Sequence, residues 1–105
     1  MKTQKDYEQK TVELIEKLNN MSVEEMYEFF KKQLIDINYI ITARCNYLAT
    51  RILIRLENSM YGVWVDTKDC NVILEYDDIT TYELEPATAN RIDEIFRKEY
   101  KVAKQ

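Results

Sequence analysis

At Arg51 the apolar residues of this chain stop recurring every three or four positions and begin to alternate. The switch constrains the architecture more than any other feature. A spacing near 3.6 gathers residues on one stripe of a helix, whereas a spacing of two gathers them on one face of a strand. "ILIRLE" sets Ile52, Ile54 and Leu56 on one face, "MYGVWVD" sets Tyr61, Val63 and Val65, and "NVILEYD" sets Val72, Leu74 and Tyr76. "TTYELE", with Tyr82 and Leu84, reads as a further strand. Asn58-Ser59 and "TKDC" supply the turns between them.

Ahead of the switch, "DYEQKTVELIEKLNN" places Tyr7, Thr11, Leu14, Ile15 and Leu18 at helical spacing, and Asn19-Asn20 ends the run. Ser22 and Glu25 then form a capping box, in which hydroxyl and carboxylate each meet a free amide of the first turn. The second helix carries Met26, Phe29, Phe30, Gln33, Leu34 and Ile37 as its stripe. Ile40, Ile41, Arg44, Cys45 and Leu48 keep that spacing, and neither glycine nor proline interrupts it. A kinked helix to about Ala49 is therefore expected, although the β-branched and aromatic "INYIIT" favours a strand. Pro86 suits the first turn of a closing helix that buries Ile92, Ile95, Phe96 and Tyr100. The reading is a single α+β domain. Residues 1–50 are mainly helical, 51–85 form a three- or four-stranded antiparallel meander, and 86–105 form a C-terminal helix.

Composition removes most enzyme classes. With no histidine there is no Ser-His-Asp triad, no Cys-His pair and no imidazole ligand. Two cysteines make neither a four-cysteine zinc site nor, at Cys45 and Cys70, a CxxC redox pair. One glycine cannot build a phosphate-binding loop. Asp77-Asp78 and Asp66 with Asp69 read as turn formers rather than a cation site. No catalytic residue, metal or cofactor is assigned. A net charge of −4 opposes capture of bulk nucleic acid. With no membrane-length apolar run and no secretory h-region, the expectation is a cytoplasmic protein of its host cell with reduced cysteines. Abundant Ile, Lys, Tyr and Asn, all with AT-rich codons, hint at an AT-rich genome, a class that includes many phages and mobile elements.

Trp64 falls on the face opposite the regular apolar positions. The simplest hairpin registers align Leu53, Trp64 and Ile73 in one row, Arg55, Gly62 and Glu75 in the next, and Glu57, Met60 and Asp77 beyond. Gly62 leaves a gap into which Arg55 and Glu75 can lean, or it marks a bulge or a close backbone approach. Trp64 needs a cover: the first helix, a second copy of the chain, or a different partner. A fourth strand beside the third would bring Glu75 near Glu83 and Asp77 near Thr81. That makes one flank acidic, either as a phosphate-like surface or as an ordinary charged edge.

The candidate partner-binding residues are Leu53, Trp64, Ile73, Arg55, Glu75, Asp77 and Glu83. The expected function is that of a small acidic non-enzymatic protein-binding module. It would be an inhibitor or regulator of anti-defence or immunity type that occupies a partner's surface, for instance that of a nucleic-acid-handling enzyme. Two alternatives stand beside it. One is a nucleic-acid-binding or histidine-free ribonuclease-like domain using Arg44, Arg51 and Arg55 with Tyr47 and Tyr61; on a helix Arg44 and Arg51 would share a face. The other is a structural homodimer through the same sheet row. The helix–helix–meander–helix order loosely resembles the RelE-type toxin fold, which implies RNA cleavage, but the initial strand and the basic charge of that family are missing here.

Overall fold

The structure is a computed structural model, and it describes residues 3–41 and 47–104. Two helices, α1 (Gln4–Asn19) and α2 (Val23–Gln33), lead into five strands: β1 (Leu34–Ile41), β2 (Tyr47–Arg55), β3 (Gly62–Asp66), β4 (Asn71–Leu74) and β5 (Thr81–Glu83). Helix α3 (Pro86–Lys104) closes the chain. The strands form one sheet in the order β1-β2-β3-β4-β5, and every neighbouring pair is antiparallel. The fold is α+β.

Both N-terminal helices start at capping boxes. Ser22 Oγ accepts from Glu25 N at 3.2 Å while Ser22 N donates to Glu25 Oε1 at 3.1 Å. Thr3 and Asp6 repeat the arrangement at the start of α1. Tyr7, Thr11, Leu14 and Leu18 are buried, which is the stripe that the spacing predicts, with Ile15 half-buried. At the far end of α1, the Arg91 guanidinium from α3 donates to the carbonyls of Leu18 and Asn19 at 3.3 and 3.2 Å. A cation is favourable there because the last carbonyls of a helix have no partner within it.

The cap carboxylates and Asp77 carry a pH dependence. The Thr3 backbone amide holds Asp6 below its ordinary pKa, the Ser22 amide does the same for Glu25, and the Thr80 hydroxyl with the amides of Ile79 and Thr80 does so for Asp77. A carboxyl with a depressed folded-state pKa stabilises the fold fully above its unfolded value, and that contribution is lost as pH falls through the folded value. The melting temperature is therefore expected to be level from neutral pH down to the ordinary carboxylate range and to fall below it. A melting series on Glu25→Gln and Asp77→Asn checks this: each variant should start lower at neutral pH and lose less on acidification than the wild type. Parallel curves would remove these groups from the acid transition.

The sheet packs all its helices on one side. Ile52, Ile54, Val63, Val65, Val72 and Leu74 alternate onto a single face and are fully buried. They share one cluster with Leu18, Met26 and Phe30 from α1 and α2, and with Ile92 and Phe96 from α3. Thr67, just after β3, ties this layer together: its hydroxyl accepts from Thr50 N at 2.8 Å and lies 2.7 Å from the Asp93 carboxylate on α3. At the end where β2 turns into β3 and β4 into β5, Tyr7, Tyr61 and Tyr76 form a ring cluster with centroids 4.9 to 5.4 Å apart. Packing thus accounts for these three tyrosines.

Two expectations are corrected. The sheet has five strands, not three or four, and it begins at Leu34, not Arg51. The helix expected to reach Ala49 ends at Gln33, where Leu34 turns to extended geometry at φ −71° and ψ 129°. Without a glycine or proline the chain passes directly from helix to strand. The β-branched content of residues 35–41 and pairing with β2 outweigh a helical spacing that Ile37, Ile40 and Ile41 meet by coincidence. Arg44 and Cys45 lie outside the described residues, so the helical face shared by Arg44 and Arg51 is replaced by a strand at Arg51.

Candidate functional site

The second face of the sheet carries no helix among the described residues. Alternation along the strands builds it, and the hairpin registers align it. Leu53 pairs with Trp64, Trp64 with Ile73, and Ile73 with Thr81, giving one row across four strands. On one side lies the row Asn38, Arg51, Asp66, Asn71 and Glu83. On the other, Arg55 pairs with Gly62, and the Glu75 amide donates to the Gly62 carbonyl at 3.1 Å. The three hairpin pairings at Leu53, Trp64 and Arg55 are those that the turn lengths predict.

Trp64 packs against its own sheet. Leu53 beside it is 7% exposed, Trp64 and Ile73 are half-buried, and none of the three joins the helix-facing cluster. From the adjacent row, Arg51 lays its guanidinium 4.9 Å from the ring centroid. Such a contact is worth about 0.5–1 kcal/mol at a partly exposed site. Helix α1, one of the covers anticipated for Trp64, lies on the opposite face. Sequence reasoning missed Arg51 as the partner of Trp64. The signal was present, because a long side chain on a diagonal cross-strand position reaches its neighbour's ring.

Gly62 is a close backbone approach. A Cβ there would stand 2.3 Å from the Ile54 carbonyl oxygen and 3.3 Å from Leu53 Cδ1. Its φ is not positive, so the demand is for space rather than for a left-handed turn. Of the two side chains anticipated in the gap, Glu75 enters it, with Oε1 accepting from Gly62 N at 2.8 Å. Arg55 is exposed.

The acidic flank is not assembled as anticipated. Glu83 pairs with Asn71 and Thr81 with Ile73, a slip of four positions from a pairing of Glu83 with Glu75. The cause is the turn after β4, where Asp78 adopts φ 60° and Asp77 Oδ1 accepts from Ile79 N and Thr80 N, both at 3.0 Å. Asp77 is a turn-holding residue, gripped further by Gln4 of α1 at 3.2 Å. Two of the turns at this end display apolar side chains: Met60 is 81% and Ile79 79% exposed.

A separate groove of about 330 Å³ lies between α1, α2 and residues 55–58. Lys10, Lys17, Glu13 and Glu57 line it in mixed charge around Phe29. Among the described residues there is no cluster of three or more metal-ligating side chains, and no helix is long and apolar enough to cross a membrane. Cys70 is half-buried, at φ 51°, with its sulfur 3.6 Å from the Thr67 carbonyl.

These features define an antiparallel sheet with helices on one face and, on the other, a partly buried tryptophan row that no helix of the described residues covers. No protein-family model, curated protein or solved structure matches the chain.

Proposed function

We propose that the protein is a small non-enzymatic protein-binding module of inhibitor or regulator type, working in the cytoplasm by laying its helix-free sheet face against another polypeptide. The observation that supports this reading best is Trp64, a half-buried indole flanked by Leu53, Ile73 and Arg51 on a face that no helix of the described residues covers. Tryptophan and arginine are, with tyrosine, the side chains enriched among the anchors of protein interfaces. The exposed Met60 and Ile79 add apolar contact at one end. The anti-defence and immunity proteins of phages and mobile elements are the class to which size, acidity and codon-biased composition point.

The face suits a protein better than a phosphate backbone. Arg51 is already stacked on Trp64, and Asp66, Glu75 and Glu83 share the surface with the two arginines. The test is affinity capture with tagged full-length chain from nuclease-treated host lysate, wild type against Trp64→Ala. A protein held by wild type and released by a folded variant supports the reading. Salt-sensitive retention of RNA or DNA by wild type, lost in Arg51→Ala, would replace it with the nucleic-acid alternative.

A further inference from the structure

The residues of the helix-free face are arranged antisymmetrically about β3. Leu53 on β2 and Ile73 on β4 stand one strand to either side of Trp64 in a single row. Arg55 on β2 and Glu75 at the end of β4 stand to either side of Gly62 in the next, with opposite charges. Arg51 and Asn71 stand to either side of Asp66. Apolar is matched to apolar, cation to anion, and donor to amide.

A two-fold axis lying in the face along β3 exchanges those two sides. It sets β2 of one copy over β4 of the other with rows in step. Arg55 then meets Glu75 of the second copy, the exposed remainder of Leu53 meets its Ile73, and each contact occurs twice. The other in-plane two-fold, along the rows, sets β2 over β2 and brings Arg55 against Arg51, cation on cation. The charge pattern thus separates the two arrangements. We propose that this face binds a second copy of the chain, sheet against sheet, about the axis along β3. The proposal rests on the docking reading above and names its occupant.

The geometry tolerates the pairing. Stacked sheets lie about 10 Å apart and cross at about 30°, which tilts each some 15° from the axis. For strands about 4.8 Å to either side, that tilt slides facing rows by roughly 2.5 Å, well under the roughly 6.7 Å between successive residues on one face. On the axis itself Trp64 meets Trp64. Asp66 also lies there, but its carboxylate accepts from Lys68 N at 2.9 Å and Asp69 N at 3.1 Å, which turns it into its own loop. A face of five strands covers on the order of 800 Å² of plane area over both copies, below the roughly 1,200 Å² of a stable specific interface, so the dimer is weak, transient and formed by mass action. Self-association and capture of another partner then compete for one surface.

Charge reversal tests this. Sedimentation of the full chain from about 1 to about 200 μM spans the affinity expected of so small an interface. The wild type should pass from the 12.6 kDa monomer toward twice that mass. Arg55→Glu and Glu75→Arg should each raise the dissociation constant by about tenfold or more, since the two-fold enters every substitution twice. An equimolar mixture of the two variants should dimerise again, because every facing pair is then complementary. Circular dichroism reports the fold of each. Should Glu75→Arg not fold, having lost the bond to Gly62 N, dissociation of Arg55→Glu alone decides. A wild type monomeric throughout overturns the homodimer while leaving the docking reading to lysate capture. A dimer indifferent to both reversals overturns the use of this face.

Discussion

Gly62→Ala is expected to destabilise the fold by about 1–3 kcal/mol, the range for forcing extra volume into a packed site. The added methyl would lie 2.3 Å from the Ile54 carbonyl oxygen, well inside van der Waals contact. The obstruction is backbone, so no rotamer change relieves it. Relief requires β2 and β3 to separate at the Arg55 pair, and that strains the neighbouring register of Ile54 with Val63, two fully buried core residues. It also disturbs the amide that Glu75 holds from the other side at 2.8 Å. In an ordinary strand position the same change would stabilise slightly, by reducing the entropy of the unfolded chain. Chemical denaturation therefore gives opposite signs for the two cases: a lowered midpoint with unchanged slope is expected here. A raised midpoint would show that the strands relax freely at this point.

The sequence made parts of this arrangement legible and concealed others for identifiable reasons. The registers around Trp64 could be read because short turns and clean alternation leave one pairing that buries Val63, Val65, Val72 and Leu74 together. The capping box at Ser22 and the helix start at Pro86 could be read because their determinants are local. Strand β1 was hidden. Ile35 and Asp36 are exposed while Leu34 and Ile37 are half-buried, so no period of two emerges, and the pairing with β2 that makes the strand is non-local. The β4–β5 register was hidden by a turn whose length depends on Asp78 adopting a left-handed conformation and on side-chain bonds from Asp77. The composition of the candidate surface was visible as a tryptophan out of phase with its neighbours. Its arginine partner was visible only as a diagonal neighbour, because a contact between rows depends on side-chain length as well as on pairing.

Trp64→Ala is expected to weaken any complex made through this face by about thirtyfold or more, the equivalent of the 2 kcal/mol that marks an interface anchor. It should cost the isolated fold less. Trp64 contributes nothing to the helix-facing cluster, and what it loses is the Arg51 contact and the cross-strand packing with Leu53 and Ile73. Terms of those kinds amount to about 1–2 kcal/mol in all. The discrimination lies in the ratio of the two effects, so both are measured on the same preparation: thermal or denaturant stability, and affinity for the captured partner or for a second copy. A core tryptophan would give the reverse pattern, with unfolding at ambient temperature and no defined binding constant. Arg51→Ala separates the remaining case. If Arg51 serves chiefly to hold the indole in place, its loss lowers affinity less than Trp64→Ala, and the two substitutions together cost less than their sum. Additive losses would instead make Arg51 an independent contact to the partner.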